Sequence, residues 1–222
     1  MSINIAIDGP AGAGKSTIAK RVAEKLSFIY VDTGAMYRAM ALYMLRGRVD
    51  IKDEAAVTDM CSNVHVGITY EDGEQRVLLN EEDVSGLIRS EEVGNAASAV
   101  AVYSAVRAKL LELQQSLART HNVVMDGRDI GSAVLPGAQV KIYLTASVHT
   151  RAERRYKELV KKGESPDIQV IEQDIIDRDY QDMHRKISPL CQAEDAVLID
   201  SSRLSIDGVV DRILNIYKER CC

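Results

Sequence analysis

The sequence lacks the features of a membrane protein or of an exported one. It has no run of about 18 apolar residues, the length that a membrane-spanning helix needs. Its N-terminus enters a strand-like stretch at once, without the basic and apolar regions of a signal peptide. We therefore expect a cytosolic protein that has no membrane partner.

Positive charge is not in excess. Lysine and arginine number 28 against 33 aspartates and glutamates, so the formal net charge is -5. This balance argues against a protein whose main role is to bind nucleic acid. At 222 residues with 46% hydrophobic side chains, the chain is long enough for one large α/β domain with insertions.

Cysteine and histidine are both scarce, with four of each. Neither set has the spacing of metal ligands, and we expect the thiols to be reduced. The ending Cys221-Cys222 is similar to the double cysteine that is prenylated in some small GTPases. The sequence has no Asn-Lys-x-Asp motif for reading guanine, however, so the role of this ending stays open.

The most informative segment runs from Gly9 to Ser16 and matches the phosphate-binding pattern of Gly, four residues, Gly, Lys, and Ser or Thr. Its glycines allow successive N–H groups to point at a polyphosphate. Lys15 supplies a mobile positive charge for the β- and γ-phosphates, and Ser16 supplies a hydroxyl for Mg²⁺. The sequence therefore predicts a nucleoside triphosphate site.

Strand-like runs recur along the chain, separated by helical or mixed segments. This alternation predicts an α/β fold with a five-stranded parallel sheet flanked by helices. Ligands bind beyond the carboxyl ends of such strands, where three of the motifs lie. The five runs are 3–8, 29–31, 123–126, 140–144 and 197–200.

Two segments interrupt this alternation. Apolar residues alternate over 64–70, Asp72-Gly73 suits a hairpin turn, and a second strand returns over 77–79. We therefore predict a small antiparallel insertion at about 61–96. The polar segment 161–166 lies between two helical patterns and predicts a mobile lid at about 151–170, within a single domain whose core is about 1–60 and 97–222.

Arginines fall at helical spacing in two places. Arg151, Arg154 and Arg155 share one helix face, and so do Arg178, Asp182 and Arg185. In a chain of net negative charge, such clusters indicate a concentrated anion site. Solvated helices with ordinary ion pairs are the alternative, and for either cluster alone the spacing does not decide between them.

Six segments form a set that is far more specific than the phosphate-binding loop alone. They are the loop 9–17, Asp32-Thr33-Gly34-Ala35-Met36-Tyr37-Arg38, the segment 91–98, Asp126-Gly127-Arg128-Asp129-Ile130-Gly131, the segment 151–155 and Arg178-Asp179. In these segments the sequence resembles the bacterial cytidylate kinases, which are nucleoside monophosphate kinases of the P-loop class. The similarity runs nearly from end to end, and the predicted insertion falls where that family has a three-stranded subdomain.

The resemblance implies transfer of the γ-phosphoryl group of ATP to CMP or dCMP, with Mg²⁺ accompanying ATP. It implies catalytic roles for Lys15, Arg128, Arg151, Arg154 and Arg155, and a monomer. The ATP site that it implies consists of Gly9, Pro10, Ala11, Gly12, Ala13, Gly14, Lys15, Ser16 and Thr17, of which Ser16 binds the metal.

The resemblance also assigns acceptor residues. Arg38, Arg128 and Arg185 would hold the phosphate, because guanidinium groups bind phosphate oxygens in a bidentate manner. Arg178 and Asp182 would face the ribose, while Ser98, Arg107 and Asp129 would read the base. The CMP-binding segment near the second strand adds Asp32, Thr33, Gly34 and Tyr37.

Cytosine presents an amine donor beside two acceptors, and Asp129 with Arg107 could match them. Uracil would place an oxygen against the Asp129 carboxylate. Ser98 and Arg107 are nine residues apart and half a turn out of phase on a continuous helix. A shared role therefore requires a bend between them, near 103–104.

Three rival functions stay open at the level of sequence. They are a kinase of the same fold acting on UMP, AMP or shikimate, an ATP-dependent switch, and a nucleic-acid-binding protein. Preference between CMP and dCMP, the extent of UMP use, and the ranking of Asp8 and Asp32 near Mg²⁺ cannot be derived from the sequence.

Overall fold

The computed structural model describes residues 2–221, which form two compact units. The first unit contains residues 2–30 and 121–221, and the second contains residues 31–120. In chain order the elements are β1 (Asn4–Asp8), α1 (Lys15–Leu26), β2 (Ile29–Asp32), α2 (Thr33–Arg46), α3 (Glu54–Ser62), β3 (Val66–Glu71), β4 (Glu74–Leu79), β5 (Glu82–Asp83), α4 (Glu91–Val100), α5 (Ser104–Thr120), β6 (Val123–Gly127), a π-helical turn (Ile130–Val134), β7 (Val140–Thr145), α6 (Val148–Lys161), α7 (Ile168–His184), β8 (Val197–Asp200) and α8 (Ile206–Cys221).

The predicted five-stranded parallel sheet is confirmed, with strand order β2-β6-β1-β7-β8. Its central strand β1 pairs with β6 on one side and β7 on the other. Ile5 and Ile7 have no exposed surface, as expected for a parallel strand that is covered on both faces. Ile18 of α1 and Ile213 of α8 pack in the same apolar cluster.

The position of β1 determines where a ligand can bind in the first unit. In the order of the sheet, β2 and β6 lie on one side of β1, and β7 and β8 lie on the other. Clefts for ligands form at the carboxyl end of the strand where the order reverses. The loop 9–14 leaves β1 at this end, and Asp126 lies at the end of β6.

Helices α6 and α7 of the first unit form the region predicted as a lid. Ala152 and Leu159 of α6 pack with Ile171 and Ile175 of α7 in a small apolar cluster of their own. Residues 162–167 connect the two helices. The assignment of 151–170 as a lid stays a prediction.

The second unit contains the three-stranded antiparallel sheet β3-β4-β5. Its hairpin turns at Asp72-Gly73, where both residues have positive φ angles of 51° and 79°, the conformation that this dipeptide favours. The predicted range 61–96 also includes the end of α3 and the start of α4, and its bounds stay a prediction.

The bend predicted between Ser98 and Arg107 is present. Helix α4 ends at Val100 and α5 begins at Ser104. The Tyr103 hydroxyl between them donates to the Ile51 carbonyl at 2.9 Å. Over residues 2–221, no helix is long and apolar enough to cross a membrane.

Candidate active site

The loop 9–14 has the backbone that its glycines predict. Gly9, Gly12 and Gly14 have positive φ angles of 148°, 74° and 91°. A Cβ on Gly9 would lie 1.9 Å from the Leu144 carbonyl oxygen, so no larger residue fits there. Gly14 precedes α1 and provides no capping side chain, which leaves the N–H groups of the first helical turn directed at an anion site.

Lys15 is the first residue of α1 and is buried, with 6% of its surface exposed. Its ammonium group donates to the Pro10 carbonyl at 2.8 Å and thus spans the loop. Burial, followed by the nearby Arg128 guanidinium, lowers the pKa of Lys15 from 10.5 to about 7, although Asp126 opposes the shift. A bound polyphosphate would supply the negative charge that this lysine needs to stay protonated.

Among the aspartates at the strand ends, Asp126 is the one that contacts Ser16. The Ser16 hydroxyl donates to Asp126 Oδ2 at 3.1 Å. Asp8 instead accepts the N–H groups of Ile130 and Gly131, both at 2.7 Å, and burial raises its pKa to about 6. Asp8 therefore joins β1 to the π-helical turn, and the pair Ser16 and Asp126 offers hard oxygen ligands to a cation.

Two of the three arginines of α6 reach the phosphate-binding loop. Arg151 donates to the Ala11 carbonyl at 2.9 Å and forms a two-point ion pair with Asp179 at 2.6 and 3.1 Å. Arg154 donates to the Ala13 carbonyl at 3.3 Å. Arg155 pairs with Glu158 at the surface, at 3.6 Å.

The acceptor residues predicted in the first unit form one chain of ion pairs. Arg128 Nε donates to Asp182 at 2.7 Å. Arg185 contacts Asp129 at 3.3 Å and Asp182 at 3.8 Å. The side chains of Arg185 and Asp129 are only 5% and 6% exposed, so this part of the site is largely desolvated. Arg178 lies on α7, one turn before Asp182.

In the second unit, Asp32 caps α2 by accepting the Ala35 N–H at 2.9 Å. Its other carboxylate oxygen contacts the Arg89 guanidinium at 3.4 Å. The Gln75 side chain of β4 binds the main chain of Asp32 in both directions, accepting at 2.8 Å and donating at 3.3 Å. Gln75 thus fixes the start of the segment Asp32-Thr33-Gly34, a role that the sequence does not indicate.

Arg38 lies one turn further along α2. It donates to the carbonyls of Ile88 and Ser90 at 3.1 and 3.3 Å. A Cβ on Gly94 would come within 2.9 Å of this guanidinium, so the glycine of the matched segment 91–98 makes room for Arg38.

The base-reading residues predicted in the second unit lie on either side of the bend. Arg107 of α5 lies over the Tyr37 ring at 5.8 Å and donates to the Ala101 carbonyl at 3.4 Å. Ser98 lies on α4. The structure therefore places the Arg107 guanidinium over the Tyr37 ring, and the shared role of Ser98 and Arg107 in reading the base stays a prediction.

Comparison with known proteins decides the family. Residues 5–219 match the family model for cytidylate kinase. The cytidylate kinase of Ligilactobacillus salivarius is 49% identical over 218 residues, which cover 98% of this chain and 97% of that protein. That of a Geobacillus strain is 48% identical over 219 residues, covering 99% and 98%.

The chain belongs to the cytidylate kinase family. As a member, it is an enzyme that phosphorylates CMP at the expense of ATP. An uncharacterized protein from Eubacterium ventriosum has a similar structure, with a TM-score of 0.57, 12% identity, and coverage of 99% of this chain and all of that one. At 12% identity this similarity is evidence for the fold alone.

Proposed function

We propose that this cytidylate kinase transfers the γ-phosphoryl group of ATP to CMP or dCMP, with Mg²⁺ bound beside the triphosphate. The product pairs are CDP or dCDP and ADP. One observation carries the acceptor assignment. The first unit holds, besides its triphosphate loop, a partly buried chain of two arginines and two carboxylates formed by Arg128, Asp182, Arg185 and Asp129.

The donor site is the loop 9–14 together with the start of α1, including Lys15, Ser16 and Thr17. Main-chain N–H groups bind the phosphates, since the left-handed glycines leave no side chain in the way. Lys15 neutralises charge on the β- and γ-phosphates. Its position across the loop, on the Pro10 carbonyl, supports this role.

Ser16 and Asp126 fit a magnesium ion, because Mg²⁺ in such enzymes takes one or two protein oxygens and fills its other positions with phosphate and water. The ion would neutralise charge on the phosphates. Asp126 suits this role better than Asp8 because its carboxylate contacts Ser16, whereas the Asp8 carboxylate accepts the N–H groups of Ile130 and Gly131. Asp32 is likewise engaged, by Ala35 and Arg89.

The acceptor roles in the first unit follow from the charges of the buried network. Arg128 and Arg185 bind the CMP phosphate through guanidinium groups that Asp182 and Asp129 hold in place. Asp182, with Arg178 one turn earlier on α7, accepts from the ribose. Asp129 accepts from the cytosine amine, which a carboxylate can do and which uracil cannot match.

In the second unit, Arg38 is the phosphate ligand. Its partners are the main-chain carbonyls of Ile88 and Ser90. Arg38 can give up these contacts to bind the phosphate dianion of CMP. Arg107 and Ser98 read the base, and the contact between Arg107 and Tyr37 supports that role. The segment Asp32-Thr33-Gly34, fixed by Gln75, completes the binding residues of this unit.

The chemistry needs positioning and charge neutralisation rather than a general base. A phosphate monoester has a second pKa near ~6, so the acceptor is already ionised at neutral pH. Lys15, Arg151 and Arg154 lie at the loop and offset charge on the moving phosphoryl group. Arg155 belongs to the same proposal only if its side chain leaves Glu158, its surface partner on the same helix.

The test is a substrate panel. ADP formation from ATP and Mg²⁺ is measured with CMP, dCMP, UMP, AMP and GMP, and without acceptor. We expect kcat/KM for CMP to exceed that for UMP at least tenfold, since one polar base contact discriminates by ~1–3 kcal/mol. Equal use of CMP and UMP would refute the role of Asp129, and ADP release that ignores every acceptor would indicate an ATPase switch.

The cytosolic location, the monomeric state and the absence of a nucleic-acid partner stay predictions. Sedimentation at several protein concentrations tests the second of them. A molar mass near the 24.5 kDa of one chain would support the monomer.

A further inference from the structure

The two oxygens of Asp126 have different partners. Oδ2 accepts the Ser16 hydroxyl at 3.1 Å, and Oδ1 accepts the Tyr30 hydroxyl at 2.8 Å. Asp126 is only 4% exposed, so a donor on Oδ1 determines the direction in which Oδ2 points. Within the first unit, Oδ2 faces the phosphate-binding loop and Oδ1 faces the core.

The surroundings of Tyr30 restrain its side chain, so its hydroxyl can hold Asp126 in one orientation. It lies in β2, is 8% exposed, and belongs to the main apolar cluster together with Ile5 and Ile7. The Lys20 ammonium lies 5.8 Å from the centre of its ring, a distance at which a cation and an aromatic face attract each other. Core packing and the nearby cation therefore both restrain the ring, and with it the hydroxyl.

We propose that Tyr30 is a positioning residue for the metal site. It holds Asp126 so that Oδ2 points at Ser16, and these two oxygens together receive the ion that accompanies ATP. The inference rests on the proposed metal pair of Ser16 and Asp126. Partners that orient a metal ligand in this way contribute roughly 10-fold or more to metal affinity.

A purely structural reading makes a different prediction. A buried tyrosine hydroxyl needs some acceptor, and Asp126 would then be that acceptor with no effect on the metal. Loss of the hydroxyl would lower the stability of the fold and leave the response to Mg²⁺ unchanged. The two readings differ in how Mg²⁺ acts, so Mg²⁺ is the variable to measure.

The variant is Tyr30→Phe, which removes one oxygen and keeps the ring. Its matched control is Tyr217→Phe, because Tyr217 packs on the same apolar cluster and contacts Phe28 edge to face. Two quantities are measured for the full chain. One is the rise in melting temperature that ATP with Mg²⁺ gives beyond ATP with EDTA, and the other is the free Mg²⁺ concentration for half-maximal turnover.

In Tyr30→Phe we expect the magnesium-dependent rise in melting temperature to fall by half or more, and the half-maximal Mg²⁺ concentration to increase about tenfold. Tyr217→Phe should match the wild type in both. A Tyr30→Phe protein that keeps the full magnesium response, or a Tyr217→Phe protein that loses it equally, overturns the proposal.

A double variant tests whether Tyr30 acts through Asp126. With Asp126→Asn already present, Tyr30→Phe should change the magnesium response less than twofold, because the oriented carboxylate is gone. A further tenfold loss would show that Tyr30 acts by another route and would overturn the proposal. The melting experiment tests the role of Tyr30 and needs no acceptor. The proposed activity is tested separately, by CDP formation. A failure of one proposal can therefore be told from a failure of the other.

Discussion

The two units hold the arginines near their proposed substrate residues in different ways. In the first unit, Arg128 and Arg151 are fixed by carboxylates that are themselves largely buried. Arg151 forms two short contacts with Asp179, and Arg128 donates to Asp182 at 2.7 Å. The side chain of Asp182 is 13% exposed and that of Asp179 is 14% exposed.

In the second unit, the contacts of the arginines include main-chain carbonyls and one long ion pair. Arg38 donates to Ile88 and Ser90, and Arg107 donates to Ala101. Arg89 contacts Asp32 at 3.4 Å, with its own side chain 61% exposed.

Because of this difference, we expect the loss of an arginine to have different energetic costs in the two units. Removing an arginine from a buried carboxylate leaves an uncompensated charge, which is costly. A carbonyl that loses an arginine can bind water instead, at little cost near the surface. The first unit should therefore need its arginines for both stability and catalysis, whereas the second should need them mainly when CMP binds.

The largest expected effect is that of replacing Lys15, which neutralises charge on the donor phosphates in the proposed function. Lys15→Met should lower kcat/KM by roughly 10³-fold, as loss of one preorganised charge at a reacting group does. Its melting temperature should stay equal or rise, because a buried ammonium with a lowered pKa is removed.

Kinetics and calorimetric melting check this prediction. Lys25→Met is the control, since Lys25 lies on the same helix and pairs with Asp211 at the surface. Turnover of Lys15→Met within tenfold of the wild type would contradict the assigned role.

Arg128→Ala should combine a catalytic and a structural loss. We expect kcat/KM for CMP to fall about 100-fold and the free energy of unfolding to fall by up to about 3 kcal/mol, since Asp182 keeps only its longer contact with Arg185. Adding Asp182→Asn should recover stability but not activity.

Denaturant titration and steady-state kinetics separate the two losses. Arg21→Ala, which breaks a surface ion pair with Asp207, serves as the control. Recovery of activity along with stability in the double variant would show that Arg128 is only a structural partner.

Arg38→Ala should separate binding from stability. We expect kcat/KM for CMP to fall by ~10- to 100-fold, the worth of a charge-assisted contact, with a change below about 1 kcal/mol in the free energy of unfolding. Arg46→Ala, on the same helix and paired with Glu82, should change neither. A stability loss in Arg38→Ala as large as that of Arg128→Ala would remove the contrast between the units.

The smallest effect is expected for Gln75→Ala. Loss of its two hydrogen bonds to the Asp32 main chain should cost about 1–2 kcal/mol of stability and raise KM for CMP a few-fold at unchanged kcat. The control is Gln173→Ala, which removes a surface hydrogen bond to Asp177. An unchanged KM would limit Gln75 to a structural role.

Much of the fold was predictable because its signals are local. The five strands appear as short apolar runs, the loop as a motif, and the hairpin as Asp72-Gly73 between alternating segments. The break between α4 and α5 was expected for another reason, since the resemblance gives Ser98 and Arg107 a shared role that their phase on one continuous helix does not allow.

The finer geometry of the site depends on residues far apart in sequence. Asp8 is the last residue of β1, and Asp126 is the last but one of β6. Only the register of the two strands, in which Ile7 lies opposite Asp126, places one carboxylate at Ser16 and the other at the π-helical turn. Tyr30 and Gln75 lie in strands without any motif. Their partners are 96 and 43 residues away, so no local pattern could indicate them.

The most direct test follows the phosphoryl group itself. The protein is incubated with Mg²⁺, CMP and ATP labelled at the γ-phosphate, and the products are separated. We expect the label in CDP, with little released as inorganic phosphate. Release of the label as inorganic phosphate, at a rate that CMP does not change, would contradict the assignment of a phosphoryl acceptor site.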